Sequence, residues 1–576
     1  MSDFEAPQDP PESSRPDPFA GEQGSALPDS DTLVVGAGQP LVASKGRPWM
    51  ALGAAVLVVV VIGGGALAFR SFLSTSVAAA EVMPPDTEFF FSIDFLQLIE
   101  GDARKLNDTI ISMIETSGEV EARDILNVDG LVREIDAAMS DAVGVDFTDD
   151  IRPWVGRTVS FSMSGFESLT SNDVPEVLLA VETRDGGASD VFLEDFAEGL
   201  GRATGVDVAR VTRDGTVVYT ASDDFEFDPA LVFARVGSMV VFGTESAVEG
   251  ALAAEGGASL ADDVTFASVM DSLPPDRLMS VYLNGSVVSD ALASEGLATE
   301  TFAGIGFDAV GASVSIADYG VRVESVVLGS EPAGGITLEM GGVTGDLPVD
   351  TLAMFGGWSV ASYWETITTT LGETETDDFL AEAERETGID FGSLLGLLDA
   401  PSALAVVTTT DGAMAQEIGY PIGVMALFGT TNPGEVERTV EDLVGYARDN
   451  GLDEIARATF DSGTFWMLGQ IGSETAVLGV TDRYLAAASS GSLATSIGSS
   501  PSFADSTRLA AVAEAIGVDP GSVVLYVDTQ SLVELFEPAP EIAAALGPLG
   551  QMAAAFETEG GRSHGVFVWM IDYVDE

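Results

Sequence analysis

The sequence predicts an α+β fold: one N-terminal transmembrane helix followed by a duplicated ectodomain of largely antiparallel sheets with packed helices. Three observations predict it. An uncharged run covers Pro48–Phe69. A Pro-x-Asp phrase recurs ahead of apolar, β-branched strands at nearly constant offset. Strand–turn–strand signals outnumber plausible parallel crossovers, which favours antiparallel pairing.

In chain order, residues 1–47 read as a disordered, acidic, Pro-rich tail. They contain Pro7, Pro10, Pro11, Pro16, Pro18, Pro28 and Pro40, with eight acids and three bases. Proline cannot donate to helix or sheet ladders, and little apolar surface is present to offset chain entropy. Leu33–Gly38 opens like a dinucleotide loop, but Leu41 stands where the third glycine is needed and no helix follows.

Residues 48–70 read as the membrane helix. The 22 uncharged residues from Pro48 to Phe69 span about 33 Å as a helix, against about 30 Å of bilayer hydrocarbon. Trp49 sits at the headgroup level, and Arg47 and Arg70 bound the run. A cleaved signal peptide competes, with Ala78-Ala79-Ala80 as its site. Its apolar core is too long, because a secretory core is about 7–15 residues. Lys45 and Arg47 against Arg70 place the N-terminus in the cytoplasm and the bulk of the chain outside.

A linker, 71–82, leads to two α+β repeats, 83–330 and 347–576, separated by a second linker, 331–346. The recurring phrase is Pro84-Pro85-Asp86-Thr87, Pro274-Pro275-Asp276-Arg277, Pro348-Val349-Asp350-Thr351 and, more loosely, Asp519-Pro520-Gly521-Ser522. Each precedes an apolar strand, opening at Phe89, Leu278, Leu352 and Val523. Proline fixes φ and the aspartate is expected to close an Asx-turn. Asp94, Asn284 and Asp528 then stand as helix-start residues, with Gln97 at capping-box spacing from Asp94. Gly144–Phe147 matches Gly388–Phe391, Pro275 matches Pro520, and Val177–Ala180 resembles Gly423–Ala426, at offsets of 244 to 246. Self-similarity at a fixed period marks repeated units. Gly237-Ser238 suits a type II′ hairpin, with a counterpart at Asp482-Arg483. Val314 and Ile316 should pair with Val321 and Val323, and Val566–Ile571 should end the second half in a hairpin. Phe192, Phe196 and Leu200, and Val436, Val440, Leu443, Val444 and Ala447, mark amphipathic helices.

The membrane helix, the Pro-x-Asp-Thr strand opening and the strand introduced by Pro153-Trp154-Val155-Gly156 together resemble a bacterial membrane-anchored family called domain of unknown function 3352. The likeness covers residues 83 to the end, although Ala400-Pro401-Ser402 replaces the Pro-Trp-x-Gly signature in the second half. The resemblance implies no activity and no catalytic or binding residue.

Composition narrows the chemistry. With 24 Lys and Arg against 92 Asp and Glu, the net charge is −68, so nucleic-acid binding through phosphates is excluded. There is no Cys and one His, which removes disulfides, thiol nucleophiles and ordinary Cys/His zinc sites. His564, in Gly560–Gly565, is expected in a solvated turn. A Ser–Lys hydrolase would need Lys105, in a polar helical stretch. Asn127, Asp129, Gly130 and Asp136 fit an EF-hand loop only without its first ligand, since Ile125 stands there. Asp223, Asp224, Glu226 and Asp228, and Glu373, Glu375, Asp377 and Asp378, read as solvated acidic runs. Trp358, Tyr363 and Trp364, and Phe465, Trp466 and Met467, read as core packing ahead of a cleft lining.

The expectation is therefore a single-pass, membrane-anchored extracytoplasmic binding or scaffold protein, with no catalytic, cofactor or metal residues. Its partners would be membrane lipid around the anchor and an unknown protein or small ligand between the repeats. The alternatives are a carboxylate-based extracytoplasmic hydrolase, Ca²⁺- or Mg²⁺-dependent, and a purely structural envelope component.

Overall fold

The computed structural model of the chain describes residues 77–94, 105–106, 109, 136–137, 139–140, 144–165, 175–221, 230–285, 307–329, 340, 342–371, 373–452, 454–470, 473–536, 538 and 540–572. The tail, the apolar run, Gln97, Asn127–Gly130 and the Asp223–Asp228 acids lie outside these residues. Among the described residues no helix is long and apolar enough to cross a membrane.

The first half supplies ten strands: β1 (Phe89–Asp94), β2 (Val155–Ser164), β3 (Glu176–Thr183), β4 (Val208–Arg213), β5 (Thr216–Ala221), β6 (Val232–Val236), β7 (Met239–Gly243), β8 (Met279–Asn284), β9 (Ala309–Ala317) and β10 (Gly320–Leu328). The second supplies β11 (Thr351–Trp358), β12 (Ala400–Thr408), β13 (Ile422–Gly429), β14 (Ile455–Phe460), β15 (Gly463–Gln470), β16 (Ser473–Val480), β17 (Tyr484–Ala488), β18 (Val523–Asp528), β19 (Leu549–Glu559) and β20 (Arg562–Ile571). Every pairing of these strands is antiparallel. In space the first half runs β4-β5-β6-β7-β3-β2-β1-β8-β9-β10. The second half runs β14-β15-β16-β17-β13-β12-β11-β18-β19-β20, the same order strand for strand.

The two halves share one sheet of 20 strands, where the sequence pattern predicts several sheets. They join through β10 and β20, which pair from Gly320↔Met570 to Leu328↔Arg562. The physical reason is the edge problem. Each half ends in a hairpin whose last strand presents unpaired N–H and C=O groups, and pairing the two removes both edges.

The predicted hairpins form. Ile316 pairs with Val321 and Val314 with Val323. Val236 and Met239 flank Gly237-Ser238, with Gly237 at φ +57°, as a II′ turn requires at its first central residue. The four repeated strand openings become β1, β8, β11 and β18. Their turn chemistry differs from expectation. The residue after the aspartate closes the turn: Thr87 Oγ1 donates to the Pro84 carbonyl and Thr351 Oγ1 to the Pro348 carbonyl, each at 2.7 Å. At the second copy Arg277 Nη1 reaches the Pro274 carbonyl at 3.3 Å. A buried Thr hydroxyl three residues on satisfies the carbonyl, so the aspartate is not needed for that bond.

Helices cover both faces. α1 (Gly186–Thr204) starts at the Asp185 cap, whose carboxylate accepts from the Gly187 and Ala188 amides, and stops at Gly205 with φ +75°. Its predicted stripe, Phe192, Phe196 and Leu200, is buried with Trp154, Tyr219 and Phe233. α2 (Glu245–Ala254) and α3 (Val264–Met270) bury Val248, Phe266 and Val269 on the other face, against Phe90, Tyr282 and Val326. In the second half α4 (Pro433–Asp449), with Pro at its first turn, buries Val436, Val440 and Val444 against Trp466. α5 (Thr507–Ile516) buries Leu509, Val512 and Ile516 against Tyr526, Val566 and Val568. Side-chain details match between the halves as well. Arg210 joins Glu194 at 2.9 Å and lies over Tyr219, while Arg457 joins Glu441 at 3.1 Å and lies over Trp466.

Candidate functional site

A cleft of about 660 Å³ opens in the second half where the start of β11, the end of β18 and the start of α5 meet. Local sequence builds each wall. Asp528 ends β18 and caps α6 (Thr529–Phe536). Its Oδ1 accepts the Ser531 amide at 3.0 Å, as its helix-start reading requires. The Asp528 side chain is 2% exposed, and Arg508, half exposed in the first turn of α5, donates Nη1 to its Oδ2. The same nitrogen reaches Ser531 Oγ. Ser502 and Asp505 close a capping box just before α5, with the Asp505 carboxylate accepting the Ser502 amide at 2.9 Å. That amide, and then the Ser502 hydroxyl, hold the Asp505 carboxyl below its ordinary value.

Tyr526 backs the cleft, with its ring edge-on to Phe503 at 5.0 Å. Burial pushes its phenol up, and the Asp528 charge adds to that while Arg508 opposes it. Asp350, Thr351, Thr408 and Glu534 also line the cleft, together with the apolar Val349, Leu352 and Leu535. A second recess of about 400 Å³ shares Asp350 and Thr408 and continues to Thr409, Asp411 and Ser492.

The first half serves as an internal comparison. Ser259 and Asp262 form the matching capping box before α3, which sets Thr265 at the position of Arg508. In β8, Tyr282 matches Tyr526 and Asn284 matches Asp528. Burial pushes Tyr282 up to about 12. The scaffold is shared, but at these matching positions only the second half carries an Arg–Asp pair.

The residues singled out from the sequence fall differently. His564 is not in a turn: it lies inside β20, opposite Val326 and Glu557, and its Nε2 bonds Glu324 Oε2 at 2.9 Å. The turn uses only Gly560 and Gly561, at φ +59° and +78°. Gly565 is a strand residue, paired with Phe556, and a Cβ there would meet the Phe556 ring and Ser325 Oγ at 2.8 Å. Lys105 is exposed on a helix. Asp136 accepts the Phe147 amide at 2.5 Å. Glu373, Glu375, Asp377 and Asp378 lie along one helix, Glu373–Thr387, with Asp377 and Asp378 exposed. Among the described residues no group of three or more His, Asp or Glu is placed to hold a metal ion. Phe465, Trp466 and Met467 are core residues, in line with the packing expectation. Trp358 and Tyr363 sit at 6.1 Å as a partly exposed corner. The halves meet strand to strand through β10 and β20, and the two recesses described above lie in the second half. Arg508 escapes sequence reasoning because nothing local to it names a partner 20 residues away.

Fold and cleft define a large antiparallel α+β protein with an acid-rich recess in its second half. The chain belongs to the family described as Protein of unknown function (DUF3352), whose profile matches residues 50–556. No curated protein matches it. Among solved structures it is similar to crystal form I of TP0453, at 9% identity and TM-score 0.21, covering 44% of this chain and 78% of that one. Crystal form III gives 12%, 0.23, 44% and 81%, and crystal form IV gives 10%, 0.24, 44% and 84%.

Proposed function

We propose that this chain is a single-pass, membrane-anchored extracytoplasmic binding or scaffold protein, not an enzyme, that holds a polar ligand in the second-half cleft. The carrying observation is the Arg508–Asp528 pair, built into one half of a repeated scaffold and replaced by Thr265 and Asn284 in the other. Asp350, Asp505, Asp528 and Glu534 outnumber Arg508 in the lining, so the cleft favours a cationic ligand bearing hydroxyl or amide groups. Two halves with one strand order support tandem duplication of an ancestral unit. The run Pro48–Phe69 supplies the anchor. Only seven residues separate it from Val77, so the first residue of the described fold is held within about 30 Å of the bilayer.

The test is native mass spectrometry of the full chain released from nanodiscs, with R508Q and D528N beside it. A bound cationic adduct on the native chain, weakened by both substitutions, is the expected result. A hydrolase screen with and without Ca²⁺ and Mg²⁺ runs alongside. Turnover lost in D528N with the fold intact would replace the binding reading by the carboxylate-hydrolase one.

A further inference from the structure

The join between the halves contains a charged group placed on a pseudo-two-fold axis. Counted from the turns of the β9–β10 and β19–β20 hairpins, Gly320 matches Arg562, Arg322 matches His564 and Glu324 matches Val566. In the β10–β20 ladder Glu324 pairs with Val566, its own counterpart, while Arg322 pairs with Val568 and Val326 with His564. The axis relating the halves therefore passes between Glu324 and Val566. Arg322 and His564, equivalent positions on opposite sides, both turn to the one carboxylate. Arg322 Nε donates to Glu324 Oε1 at 2.6 Å, and His564 Nε2 donates to Oε2 at 2.9 Å.

The carboxylate is enclosed: its side chain is 6% exposed, against 24% for Arg322 and 33% for His564. Helices of each half cross the join. Arg322 Nη1 and Tyr319 Oη both reach the Ala515 carbonyl of α5, at 2.7 and 3.1 Å, and Arg562 Nη2 reaches Ser268 of α3 at 3.0 Å. The groups facing the carboxylate are Arg322 from its own strand, His564 from β20 and Ser313 from β9. α3 carries no charged side chain, and the one acid of α5, Glu514, is exposed. Tyr319 stands beside Arg322, and Glu557 lies across from His564 on β19. The second half offers no carboxylate at this place, since Val566 occupies it.

We propose that Glu324 is an acid-released latch that couples the two halves of the sheet. A buried carboxylate that has lost its charge no longer repays the desolvation of Arg322, and its hydrogen bond across the join to His564 weakens together with the one to Arg322 on its own strand. Burial alone would raise the Glu324 carboxyl, but the hydrogen bonds and charges of His564 and Arg322 outweigh it and leave it below its ordinary value of 4.5. The coupling is therefore full above about pH 4.5 and is lost as pH falls through the lowered value.

The experiment is hydrogen exchange by mass spectrometry on the full chain in nanodiscs at pH 7, comparing native protein with E324Q, H564A and D346N. Asp346 accepts from Arg483 at 2.6 Å and Tyr484 at 2.7 Å away from the join, so D346N controls for loss of an ordinary ion pair. E324Q should speed exchange in β10 and β20 about tenfold while β5 and β15 stay as in native. H564A should do the same to a smaller degree, and it tests the latch should E324Q not fold. D346N should leave β10 and β20 unchanged. In urea unfolding, native chain should pass from one transition at pH 7 to two at about pH 3.5, with E324Q showing two at both. Exchange in β10 and β20 within twofold of native in both E324Q and H564A, or a rise spread evenly over the sheet, would overturn the proposal.

Discussion

Arg508→Ala should destabilise the second half more than Asp528→Asn, although the two residues form one pair. The Asp528 carboxylate is 2% exposed, whereas the Arg508 side chain is 48% exposed. Removing the arginine leaves a charge with little water, held only by the Ser531 amide and the Tyr526 phenol. Breaking a fully buried pair costs about 3–5 kcal/mol. Arg508 is half in solvent, so screening discounts that to about 2–3 kcal/mol. Asp528→Asn keeps an acceptor for the Ser531 amide, and asparagine caps nearly as well as aspartate. The arginine it releases is hydrated where it stands, so the cost is about 1 kcal/mol. Urea unfolding followed by Trp fluorescence gives the comparison, with native-state hydrogen exchange in α6 to localise it. Equal losses, or a larger loss in Asp528→Asn, would refute the argument that burial asymmetry sets the energetics of this pair.

Three further outcomes follow from the same physics. With net charge −68, melting temperature should rise between about 0.01 M and 1 M NaCl, as the screening length falls from about 30 to 3 Å; a flat or falling curve counts against self-repulsion. Of nine tyrosines, Tyr282, Tyr484 and Tyr526 should ionise last in an ultraviolet titration, because burial raises each of them first. Their contribution to stability is full below pH 10 and is lost as pH rises further; finding that these phenols titrate with the rest would contradict it. Gly311→Ala drives a Cβ into Val269 Cγ1, so it should push α3 off β9 and cost about 1–3 kcal/mol, read as a lower urea midpoint.

Local signals carry much of the fold in the sequence. The period-2 alternation around Asp318-Tyr319 specifies the β9–β10 register residue by residue. Phe192, Phe196 and Leu200 mark the buried stripe of α1. The Pro-x-Asp openings mark four strands, though the hydroxyl of Thr87 or Thr351 closes the turn, a choice among neighbouring polar groups that pattern alone does not make. The β10–β20 join is not legible. It pairs residues more than 230 positions apart, and strand-edge complementarity leaves no periodic trace. His564 reads as a turn residue because Gly560, Gly561 and Gly565 look like one turn, while Gly565 is a strand residue with the Phe556 ring and Ser325 Oγ where a Cβ would stand. At the cleft, Asp528 announces itself as a cap, but its burial and its partner Arg508 depend on how β18 and α5 are brought together.

Topology is the most direct measurement of the central claim. An anchored extracytoplasmic binding protein needs residues 71–576 outside the cytoplasm, held by the segment 48–70. Intact cells carrying the chain with a tag at each end are treated with protease, with and without permeabilisation. Loss of the C-terminal tag in intact cells, with the N-terminal tag spared until the membrane is opened, is the expected result. Protection of the C-terminal tag with cleavage of the N-terminal one, or release of the whole chain from washed membranes, would contradict it.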